Sequence, residues 1–198
     1  MTGVETGSPV WIVFGAGLVS AGILLVGLGV SIAGSAYRFW PHGDRNWTFW
    51  IGWLCWSVYT GCLVGVAYLD AGSVFTPGRI AFGVGVVLVI TGTLLSIVAA
   101  LQLDLRTSSG LTTELYTDGV YRYSRNPQYV GFVVAIGGLI VCSGSLYAFL
   151  LGSLGVVWFL AAPLAEEPWL REQYGDEYDS YRERTPRFVG LPRRDLVP

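Results

Sequence analysis

The chain is built from long apolar blocks separated by short polar stretches, and that alternation dictates most of what it can fold into. An apolar run near 20 residues buries its backbone polar groups only as a helix, because a hydrocarbon environment offers no other hydrogen-bond partners. The blocks predict spans over Val10–Ala36, Trp47–Leu69, Ile80–Leu103, Gln128–Cys142 and Leu146–Ala165. The expected architecture is therefore all-α: a polytopic membrane protein with five transmembrane helices. The fourth block is short and meets the fifth through Ser143-Gly144-Ser145, which predicts a tight helical hairpin whose tip stops short of a full crossing. Composition agrees, with 53% hydrophobic and only 13% charged residues.

Orientation follows from arginine. The chain has no lysine, and eleven of its 12 basic residues fall on one side of the predicted spans: Arg38, Arg45, Arg106, Arg122, Arg125, Arg171, Arg182, Arg184, Arg187, Arg193 and Arg194. Arg79 alone falls on the other. The positive-inside rule then places the N-terminus outside and the C-terminal tail in the cytoplasm. The first block lacks a basic flank and is too long for a secretory signal, so it reads as a retained helix.

Several features that suggest chemistry have simpler readings. Cys55, Cys62 and Cys142 lie in or at the edge of spans, which predicts free thiols in apolar packing. His42, between Pro41 and Gly43, has no cysteine or carboxylate set around it and reads as part of a loop turn, so no metal site is expected. Gly15-Ala16-Gly17 and Gly27-Leu28-Gly29 resemble phosphate-binding loops only superficially. They sit inside apolar helix, where small residues allow close helix contact.

Polar residues concentrate in two places. A connector over 104–126 ends in Gly119-Val120-Tyr121 and Arg125-Asn126, and the fourth span opens with Pro127-Gln128-Tyr129-Val130-Gly131. Glu166-Glu167 stand at the opposite foot of the hairpin. Pro127 suits a first helical turn and Asn126 an N-cap, and the tyrosines suit an interfacial aromatic belt. Those residues alone leave a second reading open. Antiparallel helices sit roughly 8–10 Å apart, so the carboxylates approach Arg125, Asn126 and Tyr129 closely enough to enclose a nucleoside-sized molecule. In the tail, Leu170, Tyr174, Tyr178 and Tyr181 form one stripe of an amphipathic helix lying on the membrane or on the domain, with Gly175 expected to loosen or kink it.

The ordered set Leu115, Gly119-x-Tyr121, Arg125-Asn126-Pro127-x-Tyr129-x-Gly131, Glu166-Glu167, Leu170, Tyr174-Gly175-x-Glu177-Tyr178-x-x-Tyr181 and Pro186-Arg187 resembles the isoprenylcysteine carboxyl methyltransferase and phospholipid methyltransferase superfamily. The resemblance covers roughly the C-terminal half. It divides the chain into a three-helix transmembrane region, 1–103, and a methyltransferase core, 104–198, that ends in a cytoplasmic amphipathic helix. It implies S-adenosylmethionine as cofactor in a cytoplasm-facing pocket, contacted by Thr113, Glu114, Leu115, Tyr116, Tyr121, Asn126, Pro127, Tyr129 and Glu166. A lipidic or amphipathic substrate would enter from the bilayer, membrane lipids would surround the helices, and no nucleic-acid partner is expected.

Arg125 and Glu167 are the candidate catalytic residues: Glu167 or a tyrosine as base for an amine acceptor, Arg125 among the arginines able to hold an anionic one. Ala162 stands where prenylcysteine-methylating members carry a substrate-binding arginine, and Asn126 where they carry histidine, which leaves the acceptor open. Two other readings stand beside this one: a nicotinamide-dependent membrane reductase of the sterol reductase type, and a non-enzymatic membrane protein.

Overall fold

The computed structural model describes residues 9–34, 38–103 and 115–191. Within them the chain forms helices α1 (Pro9–Ile32), α2 (Trp47–Leu69), α3 (Arg79–Gln102), α4 (Pro127–Ser143), α5 (Leu146–Tyr174) and α6 (Asp176–Arg184), with a 3-10 turn over Gly119–Arg122 before α4. No strand occurs among the described residues. The apolar blocks become helices as expected, and their starts carry side-chain caps where the sequence supplies them. Asn46 Oδ1 accepts the Thr48 and Phe49 amides at 3.0 and 3.2 Å, and Ser145 Oγ accepts the Ala148 amide at 3.0 Å.

Four helices, α1, α2, α3 and α5, are long and apolar enough to cross a membrane. The remaining predicted span, α4, has 17 residues. At about 1.5 Å per residue it rises roughly 25 Å, short of a hydrocarbon core of roughly 30 Å. The α2–α3 loop closes over the hairpin tip: the Gly72 and Val74 amides donate to the Ser143 and Gly144 carbonyls at 2.8 and 3.0 Å. Asp70 Oδ2 accepts from Ser73 Oγ and Ser145 Oγ at 2.8 and 2.7 Å. Gly144 turns the chain at φ 59°, and a Cβ there would fall 2.0 Å from the Phe75 carbonyl oxygen, so the tip and the loop are matched to each other.

Helices α1, α2 and α5 share one core, and α4 bridges α5 to α3. Helices α3 and α4 pack with their backbones close together. A Cβ on Gly131 would lie 2.4 Å from Ser96 Oγ and 2.6 Å from the Gly92 carbonyl oxygen, and one on Gly138 would lie 2.6 Å from the Gly85 carbonyl oxygen. This is the small-residue packing that bilayer helices favour.

One expectation is corrected and two are sharpened. The last long helix does not end at Ala165 but runs on to Tyr174, through Pro163 and Pro168, so Glu166 and Glu167 lie within a helix rather than at its end. The loosening or kink expected at Gly175 is a full break, at φ 52°, between α5 and α6. Its tyrosine stripe lies on the domain, where Tyr178 and Tyr181 pack with Ala99 and Tyr121 in a second small core. His42 is no simple turn residue. It is buried, with Phe39, Trp40 and Phe49 around its ring at centroid distances of 5.8, 5.1 and 5.5 Å. Cys55 is buried, Cys62 and Cys142 are half-buried, and all three are free thiols.

Candidate functional site

The helix order puts the α1–α2 loop, the segment before α4, the end of α5 and the tail at one end of the fold. The side chains gathered there line an open cavity of about 120 Å³. Of the eleven residues singled out from sequence, Leu115, Tyr116, Tyr121, Arg125, Asn126, Tyr129, Glu166 and Glu167 line it. Pro127 is buried at the first turn of α4 without lining it. Thr113 and Glu114 lie outside the described residues.

Each lining residue has a local cause. Gly119 has φ 59°, and a Cβ there would strike the Gln102 side chain at 2.5 Å. Gln102 Oε1 instead accepts the Val120 amide at 3.0 Å. This turn delivers Tyr121 inward, 4% exposed, its hydroxyl donating to the Ala99 carbonyl at 3.3 Å and its own carbonyl accepting the Tyr181 hydroxyl at 2.7 Å. Burial raises the Tyr121 and Tyr181 phenols well above their ordinary range, and burial with the nearby Glu167 charge pushes Tyr178 up to about 12. These tyrosines stay neutral near pH 7 and offer hydrogen-bond donors and ring surfaces.

The two adjacent carboxylates have different surroundings. Glu166 Oε1 accepts from the Trp40 indole N–H and from the Tyr129 hydroxyl, both neutral donors. Glu167 is held by cations: Arg187 donates from Nε at 2.7 Å and from a terminal nitrogen at 2.8 Å, and Arg125 lies 3.1 Å away. A second Arg125 contact runs to the Tyr178 hydroxyl at 3.2 Å. Arg125 Nε is buried without a hydrogen-bond partner among the described residues.

Asn126 stands at the N-cap position of α4, but its side chain makes no cap bond. Its amide nitrogen donates to the Arg187 carbonyl at 2.9 Å, while the Arg125 amide donates to the Pro186 carbonyl at 2.9 Å. The Arg-Asn pair therefore holds the returning tail as a strap beside the cavity. Ala162 is fully buried in the main core.

Sequence reasoning missed the residues that reach the cavity over long distances. Trp40 and Pro41 arrive from the α1–α2 loop, Leu103 from the end of α3, and Trp169 from the end of α5. Leu170, Tyr174, Tyr178 and Tyr181 were visible as a stripe but not as a cavity wall. The available signal for the loop was Phe39-Trp40-Pro41, three large apolar residues in succession outside any predicted span.

The sequence profile of a family described as phospholipid methyltransferase matches residues 79–177, from the first residue of α3 into the first turn of α6. The chain is 40% identical over 79 residues to Protein-S-isoprenylcysteine O-methyltransferase of Schizosaccharomyces pombe, covering 39% of this chain and 33% of that one. It is 38% identical over 61 residues to Phosphatidylethanolamine N-methyltransferase B of Dictyostelium discoideum, covering 30% of each. The chain thus spans about a third of the length of the curated relatives it matches. No solved structure matches it.

Proposed function

The chain belongs to the phospholipid methyltransferase family, and from that premise we propose that it is an integral membrane methyltransferase that uses S-adenosylmethionine and acts on a lipid-like or small amphipathic acceptor. The observation that carries the reading is Glu166, a carboxylate held by neutral donors in a cavity walled by Tyr116, Tyr121, Tyr174 and Tyr178. That donor set fits the cofactor. Tyrosine rings suit an adenine face or a sulfonium, a carboxylate suits ribose hydroxyls or an ammonium, and Arg125 supplies positive charge for a carboxylate.

When bound, S-adenosylmethionine supplies an electrophilic methyl group. The chain's own residues align the acceptor with it and exclude water. Arg125 and Glu167 remain the candidate catalytic pair. With its oxygens engaged by two guanidinium groups, Glu167 takes a proton from an amine acceptor only after releasing Arg187, the more exposed of its partners at 39% against 9%. A carboxylate acceptor needs no base. The short α4 and the long α5 form a hairpin, and the cavity lies at the arginine-bearing end, with Arg38, Arg45, Arg122 and Arg171. By the positive-inside rule that end and α6 face the cytoplasm.

Calorimetry on the purified protein in detergent tests the reading, with S-adenosylhomocysteine and reduced nicotinamide dinucleotides as probes. Binding of S-adenosylhomocysteine, weakened by Glu166→Gln and by Tyr129→Phe, supports it. Binding of the nicotinamide alone sinks it, and variants that bind like wild type put the site elsewhere. Transfer of labelled methyl into a total lipid extract, a prenylcysteine analogue and a small thiol, side by side, identifies the acceptor.

A further inference from the structure

Trp40 brings the first half of the chain into the cavity, from a loop that lies outside the matched family region. Its indole N–H donates to Glu166 Oε1, the same oxygen that accepts the Tyr129 hydroxyl. Both donors use one oxygen. No described residue donates to Oε2.

The loop that carries Trp40 is anchored at each level. Ser31 Oγ, on the last turn of α1, accepts the Phe39 and Trp40 amides at 2.9 and 3.0 Å and donates to the Gly27 carbonyl at 3.0 Å. Phe39 fills the space over Gly27, where a Cβ would meet its ring at 2.4 Å. The Trp40 ring is 8% exposed and is held edge-on by His42 at 5.1 Å and by Trp158 of α5 at 5.3 Å. His42 rests in turn on Gly52 of α2, where a Cβ would lie 2.8 Å from Cε1. A ring fixed through its backbone, its face and its edge gives its N–H a fixed direction.

We propose that Trp40 is a positioning residue: its indole N–H sets the orientation of the Glu166 carboxylate, so that the α1–α2 loop pre-organises the cofactor site from outside the family's shared segment. The inference rests on the proposed reading of the cavity. The cost of ordering a carboxylate is then met during folding rather than on binding, which is how a fixed donor improves affinity without touching the ligand.

The test begins with the cofactor-free protein, ¹⁵N-labelled at its eight tryptophans, in detergent. Trp40→Phe keeps the ring packing, removes the N–H, and identifies the Trp40 indole resonance by its loss. In the wild type at alkaline pH that resonance is expected far downfield, as for a charge-assisted donor, and Glu166→Gln should move it upfield. Calorimetry then compares S-adenosylhomocysteine binding. Trp40→Phe should weaken it about tenfold, the scale of one hydrogen bond to a charged group, and should add little in a Glu166→Gln background, while leaving the unfolding midpoint near wild type.

An indole resonance indifferent to Glu166→Gln overturns the proposal. So does a Trp40→Phe variant that binds like wild type, or a double variant whose losses multiply. A wild type that binds no S-adenosylhomocysteine removes the functional reading, and the indole resonance still decides the Trp40–Glu166 bond.

Discussion

Replacing Glu167 by Gln removes one charge from a cluster of three, and the structure ranks the consequences. Arg125 and Glu167 are 9% and 14% exposed, with nitrogen and oxygen 3.1 Å apart. Glu167→Gln leaves the Arg125 guanidinium with its charge and without its counter-ion in a site mostly shielded from water. Breaking a buried pair from one side costs about 3–5 kcal/mol, most of it the desolvation of the abandoned partner. The residual exposure puts this case at the low end, about 3 kcal/mol. Arg187→Gln is the contrasting perturbation. Arg187 meets the same carboxylate with better geometry, at 2.7 and 2.8 Å, but it is 39% exposed. Its charge interaction is screened by solvent, its removal leaves Glu167 still paired with Arg125, and the expected cost is at most about 1 kcal/mol.

The assay is reversible unfolding in mixed micelles by titration with a denaturing detergent, followed by tryptophan fluorescence. The expected order is a large loss for Glu167→Gln, a small one for Arg187→Gln, and for Arg125→Gln with Glu167→Gln a loss smaller than the sum of the singles by about 2 kcal/mol, because the pair fails together. If Arg187→Gln costs as much as Glu167→Gln, contact geometry rather than burial governs this site. Additive losses in the double variant would refute the buried pair altogether.

The same titration checks the helix contact that carries the cavity. Gly131→Ala drives a Cβ against the immovable Gly92 carbonyl oxygen at 2.6 Å and should cost about 1–3 kcal/mol. Gly137→Ala, on the same helix with nothing within 4 Å, should be neutral or stabilising by up to about 1 kcal/mol. Burial lowers the His42 pKa from 6.5 to about 4. Below pH 6.5 the unfolded chain therefore takes up a proton that the native state refuses. Stability at His42's expense should fall by about 3 kcal/mol between pH 6.5 and 4, and unfolding titrations of His42→Gln across that range should lose this dependence.

What could be read from sequence was whatever a local period encodes. Apolar runs give helices because the backbone must satisfy itself, and the ends of α2 and α3 were expected within a residue of where they fall. The end of α5 was misplaced because Glu166-Glu167-Pro168 changes the composition without ending the helix. Prolines at 163 and 168 each remove one amide donor, and the helix tolerates that. The role of Asn126 was illegible for another reason. Its sequence context is that of an N-cap, but its amide is drawn to the Arg187 carbonyl 61 residues away, a tertiary contact that no spacing records. Trp40 reaches Glu166 across 126 residues, and that meeting depends on how the α1–α2 pair docks on α5.

Consecutive residues on a helix point about 100° apart, and this explains why two neighbouring glutamates do different work. Glu166 turns toward Tyr129 of α4 and Trp40 of the loop, while Glu167 turns toward Arg125 and the strap that carries Arg187. Two unpaired carboxylates side by side would repel, and one would hold a proton. Arginine on the Glu167 side offsets part of that repulsion without placing a cation on Glu166, which is held by neutral donors. The arrangement therefore depends on the continuity of α5 past Ala165: had the helix ended there, the angle between the two carboxylates would not have been set.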